Sequence, residues 1–396
     1  MNFIFISPQF PAHYWKFCDR LKKNGVTVLG IGDTPFAELH EELKAALAEY
    51  YFISDLSNYD EVFRAVAFFS FKYGKIDWLE SNNEFWIEQD ARLRTDFHIT
   101  TGEQFENVSR IKHKSEMKKY YALAQIPTAR LHKVTTLDAA ENFIAEVGYP
   151  VIVKPDVGVG ANDTYKLEDA AQLENFFATL PEIPYVMEEF ITGNIRSYDA
   201  IVDSNSEPLF ESMSAWPPSA MDIVLQNLEL SYYTIDHVPD ALRKYGRAAL
   251  KAFGVKNRFV HLEFFQLTKR HETLGEVGDF VALEVNMRPA GGYTTEMMNV
   301  AYSTDVYQIW ADMITTDKRQ LPDSGERCYC VFSSRRDLHS YAHSHEEILQ
   351  RYGDRIIMCE RMPEIMAPSM GNQMYTARAA TFEAVQEFIS FVQQRQ

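Results

Sequence analysis

The chain has 396 residues, 46% of them hydrophobic and 24% charged, which is typical of a globular protein with two or three domains. Its formal net charge of −17 argues against a surface that binds nucleic acid. No apolar run approaches the length of a membrane span, and the opening segment MNFIFISPQF lacks the basic start of a signal peptide. The four cysteines are too few for a disulfide framework, so we expect a cytoplasmic protein with no membrane or nucleic-acid partner.

Strand and helix patterns alternate over the first hundred residues, which predicts a small doubly wound α/β domain spanning 1–108. Helices are expected at roughly 36–50 and 59–73, and the strand IDWLES follows them. The first turn, SPQFPAHY, lacks the glycine fingerprint of dinucleotide-binding domains, which counts against an NAD(P) oxidoreductase. Asn83 and Glu84 come just after the IDWLES strand, at an edge where α/β sheets bind ligands. Glu84 is therefore a candidate substrate residue, with a helix cap as the alternative interpretation.

A lysine followed by glycines marks the next region. Residues 149–163 read YPVIVKPDVGVGAND, in which a buried strand leads to Lys154 and then to Gly158 and Gly160. Glycines let the backbone approach an anion, and a lysine supplies a point charge for a phosphate. The spacing is neither that of a Walker A loop nor that of a dinucleotide fingerprint, so an ordinary strand and turn remains an alternative.

The segment 184–194, PYVMEEFITGN, is an apolar strand that meets Glu188 and Glu189 and then turns at Gly193. Backbone groups of such a strand can bind the edge of a purine, with Phe190 and Ile191 as apolar walls. Taken alone, the segment would also suit a surface strand that ends in a turn.

The most specific pattern is FVALEVNMRPAGG, residues 280–292. Alternate residues of a strand share one face, so Glu284, Asn286 and Arg288 are expected to project together. An earlier strand, VHLEFFQL, carries Glu263. If the two strands pair as a hairpin around a long polar loop, both carboxylates reach one place. Carboxylate and amide oxygens suit hard cations, and a guanidinium suits phosphate oxygens.

The order of these motifs, from Lys114 at the head of a predicted helix to Arg288, resembles the ATP-grasp superfamily and its carboxylate–amine ligase and biotin-carboxylase-like branch. The resemblance covers about residues 105–315. It implies an ATP-grasp fold of α/β and α+β units, with a Rossmann-like N-terminal domain at 1–108, the ATP-grasp domain at 109–316 and a small C-terminal α+β lobe at 317–396.

The resemblance also implies roles for individual residues. The expected ATP-binding residues are Lys114, Lys154, Gly158, Gly160, Glu188, Glu189, Phe190 and Ile191. Glu263, Glu284 and Asn286 resemble the ligands of two Mg²⁺ ions, which Mn²⁺ could replace, and Arg288 resembles the arginine that stabilises an acyl phosphate. The implied reaction is ATP-dependent joining of a small-molecule carboxylate to an amine, with ADP and phosphate as products. The partners expected are these substrates, and a homodimer is left open.

Two departures from the family pattern keep other readings open. Ile195 stands where a ribose-binding glutamate is common, and Gly292 stands where biotin carboxylases carry a glutamate that handles bicarbonate. A bicarbonate-activating enzyme and a catalytically silent nucleotide-binding regulator are the alternatives. In the C-terminal lobe, Arg335 and Arg336 could hold a substrate carboxylate or could simply form a solvated strand end.

Overall fold

The computed structural model describes residues 1–158, 163–217, 228–364 and 366–396. Its N-terminal part is a parallel four-stranded sheet in the order β3-β2-β1-β4, as the alternating pattern predicts. The strands are β1 (Asn2–Ile6), β2 (Thr27–Gly32), β3 (Glu49–Phe52) and β4 (Trp78–Glu80). The α-helices here are Trp15–Lys23, Glu41–Ala46, Tyr59–Tyr73 and Ile87–Asp96, and short 3₁₀ turns lie at Ala12–Tyr14 and Phe36–Glu38.

The predicted helix over 36–50 is correct only for Glu41–Ala46, with a 3₁₀ turn before it and the start of a strand after it. The helix ends at Ala46, and the aromatic run Tyr50-Tyr51-Phe52 lies in β3, which pairs in parallel with β2 at the sheet edge. Aromatic side chains fit the half-buried surface of a strand better than a helix, and sheet pairing here outweighs the helical pattern before it.

A second, antiparallel sheet of four strands follows, in the order β5-β8-β6-β7. Its strands are β5 (Leu131–Lys133), β6 (Val151–Pro155), β7 (Tyr165–Leu167) and β8 (Tyr185–Glu189). The helices Leu137–Val147 and Ala170–Ala178 cover one face through a core that includes Phe143, Phe176 and Met187. The preceding chain holds the 3₁₀ turn Phe105–Asn107 and the helices Ser109–Lys112 and Lys114–Leu123.

The largest element is an eight-stranded sheet in the order β13-β12-β9-β10-β11-β14-β16-β15. Its strands are β9 (Gly193–Val202), β10 (Pro208–Trp216), β11 (Ser231–Ile235), β12 (Arg258–Leu267), β13 (Phe280–Asn286), β14 (Tyr329–Arg335), β15 (Ile356–Arg361) and β16 (Gln373–Ala379). The helices are Asp240–Ala252, Thr294–Ala301, Val306–Thr316, His345–Tyr352, Ala367–Met370 and Phe382–Gln393.

The C-terminal strands β14 to β16 continue the sheet of β9 to β13, because β14 pairs with β11. The division of the chain at 316/317 therefore stays a prediction, and it does not separate two sheets. Helix Asp240–Ala252 packs closely on one face, since a Cβ at Gly246 would lie 2.5 Å from the ring of Tyr198.

Two buried groups of residues are among the contacts that join the N-terminal part to the large sheet and its helices. The ring of Trp310, in helix Val306–Thr316, lies 5.6 Å from the ring of Phe3 within a shared apolar core. The second contact is a buried group of charges that we call the arginine cluster, made of Glu80, Asp90, Arg94 and Arg258. Because Glu80 ends β4 and Arg258 begins β12, this cluster fixes the edge of the N-terminal sheet against the base of the hairpin β12–β13.

Candidate functional site

The hairpin β12–β13 brings the two predicted metal-binding carboxylates together. Glu263 on β12 lies directly opposite Glu284 on β13, and His261 lies opposite Asn286. A β-bulge between Glu263 and Phe264 shifts the register by one residue, so that Phe264 lies opposite Ala282. The two carboxylate side chains are 26% and 23% exposed, so both can reach a ligand. The hairpin predicted from the sequence is therefore present.

Because Glu263 and Glu284 lie opposite each other, ionising both carboxyl groups costs free energy through repulsion between their like charges. Burial raises the pKa of Glu284, and the neighbouring Glu263 raises it further, against the lowering effect of Lys114. Burial opposes ionisation of Glu263 too, but the hydrogen bond and charge of His261 hold the pKa of that carboxyl below its ordinary value. A pair of opposed carboxylates is destabilising alone and favourable around a cation.

The predicted phosphate lysines point to the same place. Lys114 begins the helix Lys114–Leu123, and its Nζ lies 3.2 Å from Glu284 Oε1 and donates to the carbonyl oxygen of Gly158 at 3.3 Å. Lys154 lies on β6, and its Nζ is 2.6 Å from Glu188 Oε2. Burial opposes the charge of Lys154, but Glu188 and Glu284 outweigh it and raise the pKa. The ammonium group of Lys154 therefore stays charged beside these carboxylates.

Asp156 connects the two lysine-bearing segments. Its carboxylate accepts hydrogen bonds from the backbone N–H of Ser115 at 2.8 Å and from the Ser115 hydroxyl at 3.0 Å, and its backbone carbonyl accepts from the N–H of Lys114 at 3.0 Å. These bonds satisfy amide groups at the helix N-terminus that have no partner within the helix. Asp156 thus fixes the head of the helix to the end of β6, and with it the spacing of Lys114 and Lys154.

A third lysine, Lys118, stands one turn further along the same helix. Its Nζ lies 2.7 Å from Glu188 Oε1, so Glu188 bridges Lys118 and Lys154. Burial would raise the pKa of Glu188, but the two lysines hold it at about 2. We call Lys114, Lys118, Lys154, Glu188, Glu263 and Glu284 the lysine–glutamate cluster.

The remaining residues of the predicted adenine segment have different surroundings. The carboxylate of Glu189 binds Arg130 through Nε at 2.8 Å and Nη2 at 2.6 Å, and its backbone N–H donates to the Arg130 carbonyl. Phe190 lies under Lys166, whose Nζ is 4.9 Å from the ring centre. Ile191 is buried against Val281 and Leu267. The side chain of Glu189 therefore holds β8 in place. Phe190 and Ile191, which follow β8, are the apolar residues next to it.

Arg288 follows β13 and contacts both the hairpin and the N-terminal part. Its Nη2 lies 3.4 Å from Asn286 Oδ1, its Nη1 donates to the Pro289 carbonyl at 2.9 Å, and its Nε lies 3.6 Å from Glu84 Oε2. Glu84 is also paired with Lys112 at 3.0 Å. The N-terminal part therefore reaches this site through Glu84, whose contact with a substrate stays a prediction. The neighbouring Asn83 forms a local turn, in which its Oδ1 accepts from the N–H of Phe85 at 3.0 Å.

Arg335 and Arg336 are not a solvated strand end. They are 8% and 5% exposed, and their recorded hydrogen bonds go to backbone carbonyls of the C-terminal part and of Leu228. In the described chain neither contacts a residue of the lysine–glutamate cluster. The interpretation of Arg335 and Arg336 as a solvated strand end was wrong, because their guanidinium groups are buried and bind the carbonyl groups of the surrounding loops.

A buried polar chain behind Glu263 was missed by the sequence analysis. His261 Nε2 lies 3.2 Å from Glu263 Oε1, and its Nδ1 lies 2.7 Å from Asp199 Oδ1. Burial opposes the charge on His261, yet Asp199 and Glu263 raise its pKa to about 9. The signal was available, because His261 stands two residues before Glu263 and so shares its strand face. Lys118 could likewise have been found as the i+4 neighbour of Lys114.

The donor set fits a hard cation such as Mg²⁺. Within the described ranges no three His, Cys, Asp or Glu side chains form a metal-binding group. Two carboxylates and the amide oxygen of Asn286 make an incomplete shell, which suits an ion that keeps waters and also binds phosphate oxygens. Gly160 and most of the glycine loop lie outside the described residues. Among the helices that the structure describes, none is long and apolar enough to span a membrane.

No protein-family model matches the chain. Its fold, however, is shared with solved structures over almost the whole length. The L-amino acid ligase from Bacillus licheniformis superposes with a TM-score of 0.71 at 14% identity, over 99% of this chain and 96% of the ligase. Phosphoribosylglycinamide synthetase from Anaerococcus prevotii gives 0.67 at 16% identity, over 99% of this chain and 97% of that chain.

The biotin carboxylase domain of the Hydrogenobacter thermophilus 2-oxoglutarate carboxylase, solved with MgADP, ADP and bicarbonate, gives a TM-score of 0.71 at 13% identity, over 100% of this chain and 90% of that domain. At such identities the likeness concerns the fold. The ATP-grasp fold predicted from the order of the motifs is confirmed, with a parallel N-terminal sheet and a large antiparallel sheet.

Proposed function

We propose that the protein is an ATP-dependent ligase that activates a small-molecule carboxylate as an acyl phosphate and joins it to an amine. One observation carries this proposal. Three lysines, an opposed pair of carboxylates and Arg288 converge at the junction of the two antiparallel sheets. The fold neighbours that are ligases, together with the MgADP bound in the biotin carboxylase structure, support the same chemistry.

The lysines have two sets of partners in this proposal. Without nucleotide, Lys114 neutralises Glu284 and Lys154 neutralises Glu188. Phosphate oxygens of ATP would draw both ammonium groups toward the triphosphate, while Lys118 keeps Glu188 compensated. Glu263, Glu284 and Asn286 would hold Mg²⁺, which when bound neutralises charge on the triphosphate. Backbone groups near Ile191 would bind the adenine edge, with Phe190 beside it.

Arg288 would act on the transferring group. Its guanidinium donates to the Pro289 carbonyl and contacts Asn286 and Glu84, so it is held just beyond the end of β13. Among the described residues it has no bidentate carboxylate partner. A planar fork of donors in this position suits the equatorial oxygens of a phosphoryl group and of an acyl phosphate. Glu84 and Lys112 would keep the guanidinium oriented from the N-terminal side.

The reaction needs no protein nucleophile. An oxygen of the substrate carboxylate attacks the γ-phosphorus, the bond to ADP breaks, and an acyl phosphate forms. The amine then attacks the acyl carbon, inorganic phosphate leaves with the electron pair of the broken C–O bond, and the amine loses a proton to give the amide. The protein contributes position and electrostatic stabilisation throughout.

Gly292 favours this reaction over activation of bicarbonate. Its φ of +62° is a left-handed conformation, and a Cβ there would lie 2.9 Å from Met370 Cε and 3.0 Å from the Tyr232 hydroxyl. No glutamate can be added at this position without moving its neighbours. The chain thus lacks the bicarbonate-handling glutamate of the family at this position, and the left-handed backbone there disfavours one.

The test is a screen for ADP and phosphate release with MgATP, using pairs of amino acids and small carboxylates, with bicarbonate as a separate arm. We expect release that depends on both an acid and an amine, and its loss in Lys154→Ala. Lys251→Ala is the matched control, because Lys251 is an exposed lysine on helix Asp240–Ala252 and its ammonium pairs with Glu207. Release of ADP and phosphate with bicarbonate as the sole substrate would contradict the ligase proposal and favour a bicarbonate-activating enzyme. Nucleotide binding without turnover of any pair would favour the silent regulator.

A further inference from the structure

The C-terminal part contains two consecutive buried arginines, Arg335 and Arg336, that have no carboxylate partner among the residues the structure describes. Arg335 Nε donates to the Val392 carbonyl at 2.6 Å and Nη1 donates to the His343 carbonyl at 2.8 Å. Its remaining nitrogen, Nη2, is buried and has no acceptor among the described residues. The guanidinium lies over the Tyr341 ring at 4.5 Å. Carbonyl groups and a ring face solvate the ion, but they do not neutralise it.

Arg336 has the same kind of environment. Its three nitrogens donate to the carbonyls of Leu228, Ala367 and Pro368 at 2.9, 3.3 and 3.0 Å. No ion pair of Arg336 occurs in the part of the chain that the structure describes. A buried charge without a counter-ion is costly, and the usual compensation is an anion. Two such charges stand side by side in a protein whose net charge is −17.

A cavity of about 360 Å³ lies against these arginines. It is lined by Arg335, Arg336, Arg361, His345, Tyr375 and Asp337, with further contributions from the neighbouring loop. Three guanidinium groups face it against one carboxylate, and Asp337 is already paired with Arg361 at 2.7 Å.

Glu229, which contacts two of the lining residues, already has partners of its own. It accepts from Tyr341 at 2.8 Å, lies 2.6 Å from His339 Nδ1, and pairs with Arg395. The cavity is therefore cationic, and its walls offer hydrogen-bond donors.

We propose that this cavity is a binding site for the oxyanion group, carboxylate or phosphate, of a small molecule. The site uses none of the residues of the lysine–glutamate cluster, so it is separate from the proposed nucleotide and cation site. A cavity of this size admits a metabolite with one or two anionic groups. The oxyanion would supply the counter-charge that Arg335 and Arg336 lack, and Arg361 at the rim would contribute a further donor pair.

Hydrogen exchange of the full-length protein tests this site locally. The protein is titrated with sodium phosphate and, separately, with sodium malonate, at ionic strength matched with sodium chloride. Peptides covering 335–345 and 373–379 report on the cavity, whereas peptides covering 149–158 report on phosphate held by Lys154. We expect saturable protection of the first two segments. The tighter anion identifies the class, phosphate-bearing or carboxylate-bearing.

Two exposed arginines give a matched pair of variants. Arg361→Gln removes a rim cation whose recorded side-chain partner is Asp337, so the fold should survive. We expect its affinity for the anion to fall about tenfold or more. Arg351→Gln removes an equally exposed arginine that pairs with Glu387 away from the cavity, and its affinity should be unchanged. The proposal is overturned if neither anion protects these segments, or if both variants titrate like the wild type.

Discussion

The arginine cluster and the lysine–glutamate cluster are both buried groups of charges, yet they are arranged in opposite ways. In the arginine cluster, Glu80 Oε2 lies 2.8 Å from Arg94 Nη2 and 2.9 Å from Arg258 Nη2, so one carboxylate serves two cations. Backbone carbonyls of Leu79 and Met287 accept the Nε–H groups of the two arginines. The cluster is closed, with each arginine at most 2% exposed.

In the lysine–glutamate cluster, by contrast, two carboxylates face each other across a hairpin and remain about a quarter exposed. Opposite charges in a closed group hold domains together, whereas like charges at an accessible edge store repulsion that a cation relieves. The arrangement of the charges, more than their burial, separates a structural cluster from a binding site.

The largest expected effect is the loss of ATP turnover in Glu284→Gln, with the fold intact. Loss of this carboxylate removes a ligand for the cation and one of the two charges that compensate the phosphate lysines, which costs several kcal/mol in the transition state. The unfolding temperature should be unchanged or slightly higher, because the repulsion between this carboxylate and Glu263 disappears. Glu276→Gln, in the exposed loop of the same hairpin, is the control. If Glu284→Gln turned over ATP at the wild-type rate, the assignment of the cation to this site would be wrong.

The opposite pattern is expected for Glu80→Gln. This change leaves Arg94 and Arg258 buried without their shared counter-ion, so the free energy of unfolding should fall by about 3–5 kcal/mol. Glu387→Gln breaks an exposed ion pair with Arg351 and should cost less than about 1 kcal/mol. Urea unfolding of the three proteins measures the difference. Equal stabilities would show that the arginine cluster is not structural.

Variants of Arg288 test whether its guanidinium stabilises the bound nucleotide or the transition state of phosphoryl transfer. Arg288→Ala should lower kcat by roughly two orders of magnitude while the affinity for a non-hydrolysable ATP analogue changes little. Arg288→Lys should restore little, because a point charge cannot replace the fork of donors. Arg270→Ala, on the exposed hairpin loop, is the control. An equal loss of binding and turnover would assign Arg288 to nucleotide recognition.

The sequence predicted the parts of both clusters that follow from local periodicity. Alternation along β13 identified Glu284, Asn286 and Arg288, and the assumption of a hairpin placed Glu263 beside them. What it could not predict are contacts between distant segments. The bond from Asp156 to Ser115 joins residues 41 positions apart, and the ion pair of Glu80 with Arg258 crosses from one sheet to another.

Strand pairing across long loops escaped the sequence analysis for the same reason. Nothing local indicates that β14 pairs with β11, and so that the C-terminal strands extend the large sheet. The burial of Arg335 could not be predicted either, because a guanidinium at a strand end usually reaches water. Its partners are carbonyls of His343 and Val392, which only the folded C-terminal part brings near.

The smallest expected effect concerns the pH dependence of stability, which the arginine cluster should set through Asp90. Burial and the nearby charge of Glu80 raise the pKa of Asp90 to about 7, against the lowering effect of Arg94. The folded protein therefore keeps this proton to a higher pH than the unfolded chain does. The stability linked to it is complete below the ordinary pKa of about 4 and is lost as the pH rises to about 7.

In Asp90→Asn this dependence should disappear, because the amide cannot ionise while its oxygen can still accept from the N–H and hydroxyl of Ser81, as Asp90 Oδ2 does at 2.9 and 2.6 Å. Between pH 5 and pH 8 the wild type should lose on the order of 2 kcal/mol more unfolding free energy than the variant. Urea unfolding at the two pH values measures this, with Asp354→Asn, an exposed aspartate, as the control. Parallel losses in all three proteins would mean that Asp90 is already ionised throughout this range, and that the arginine cluster contains two full negative charges for its two arginines.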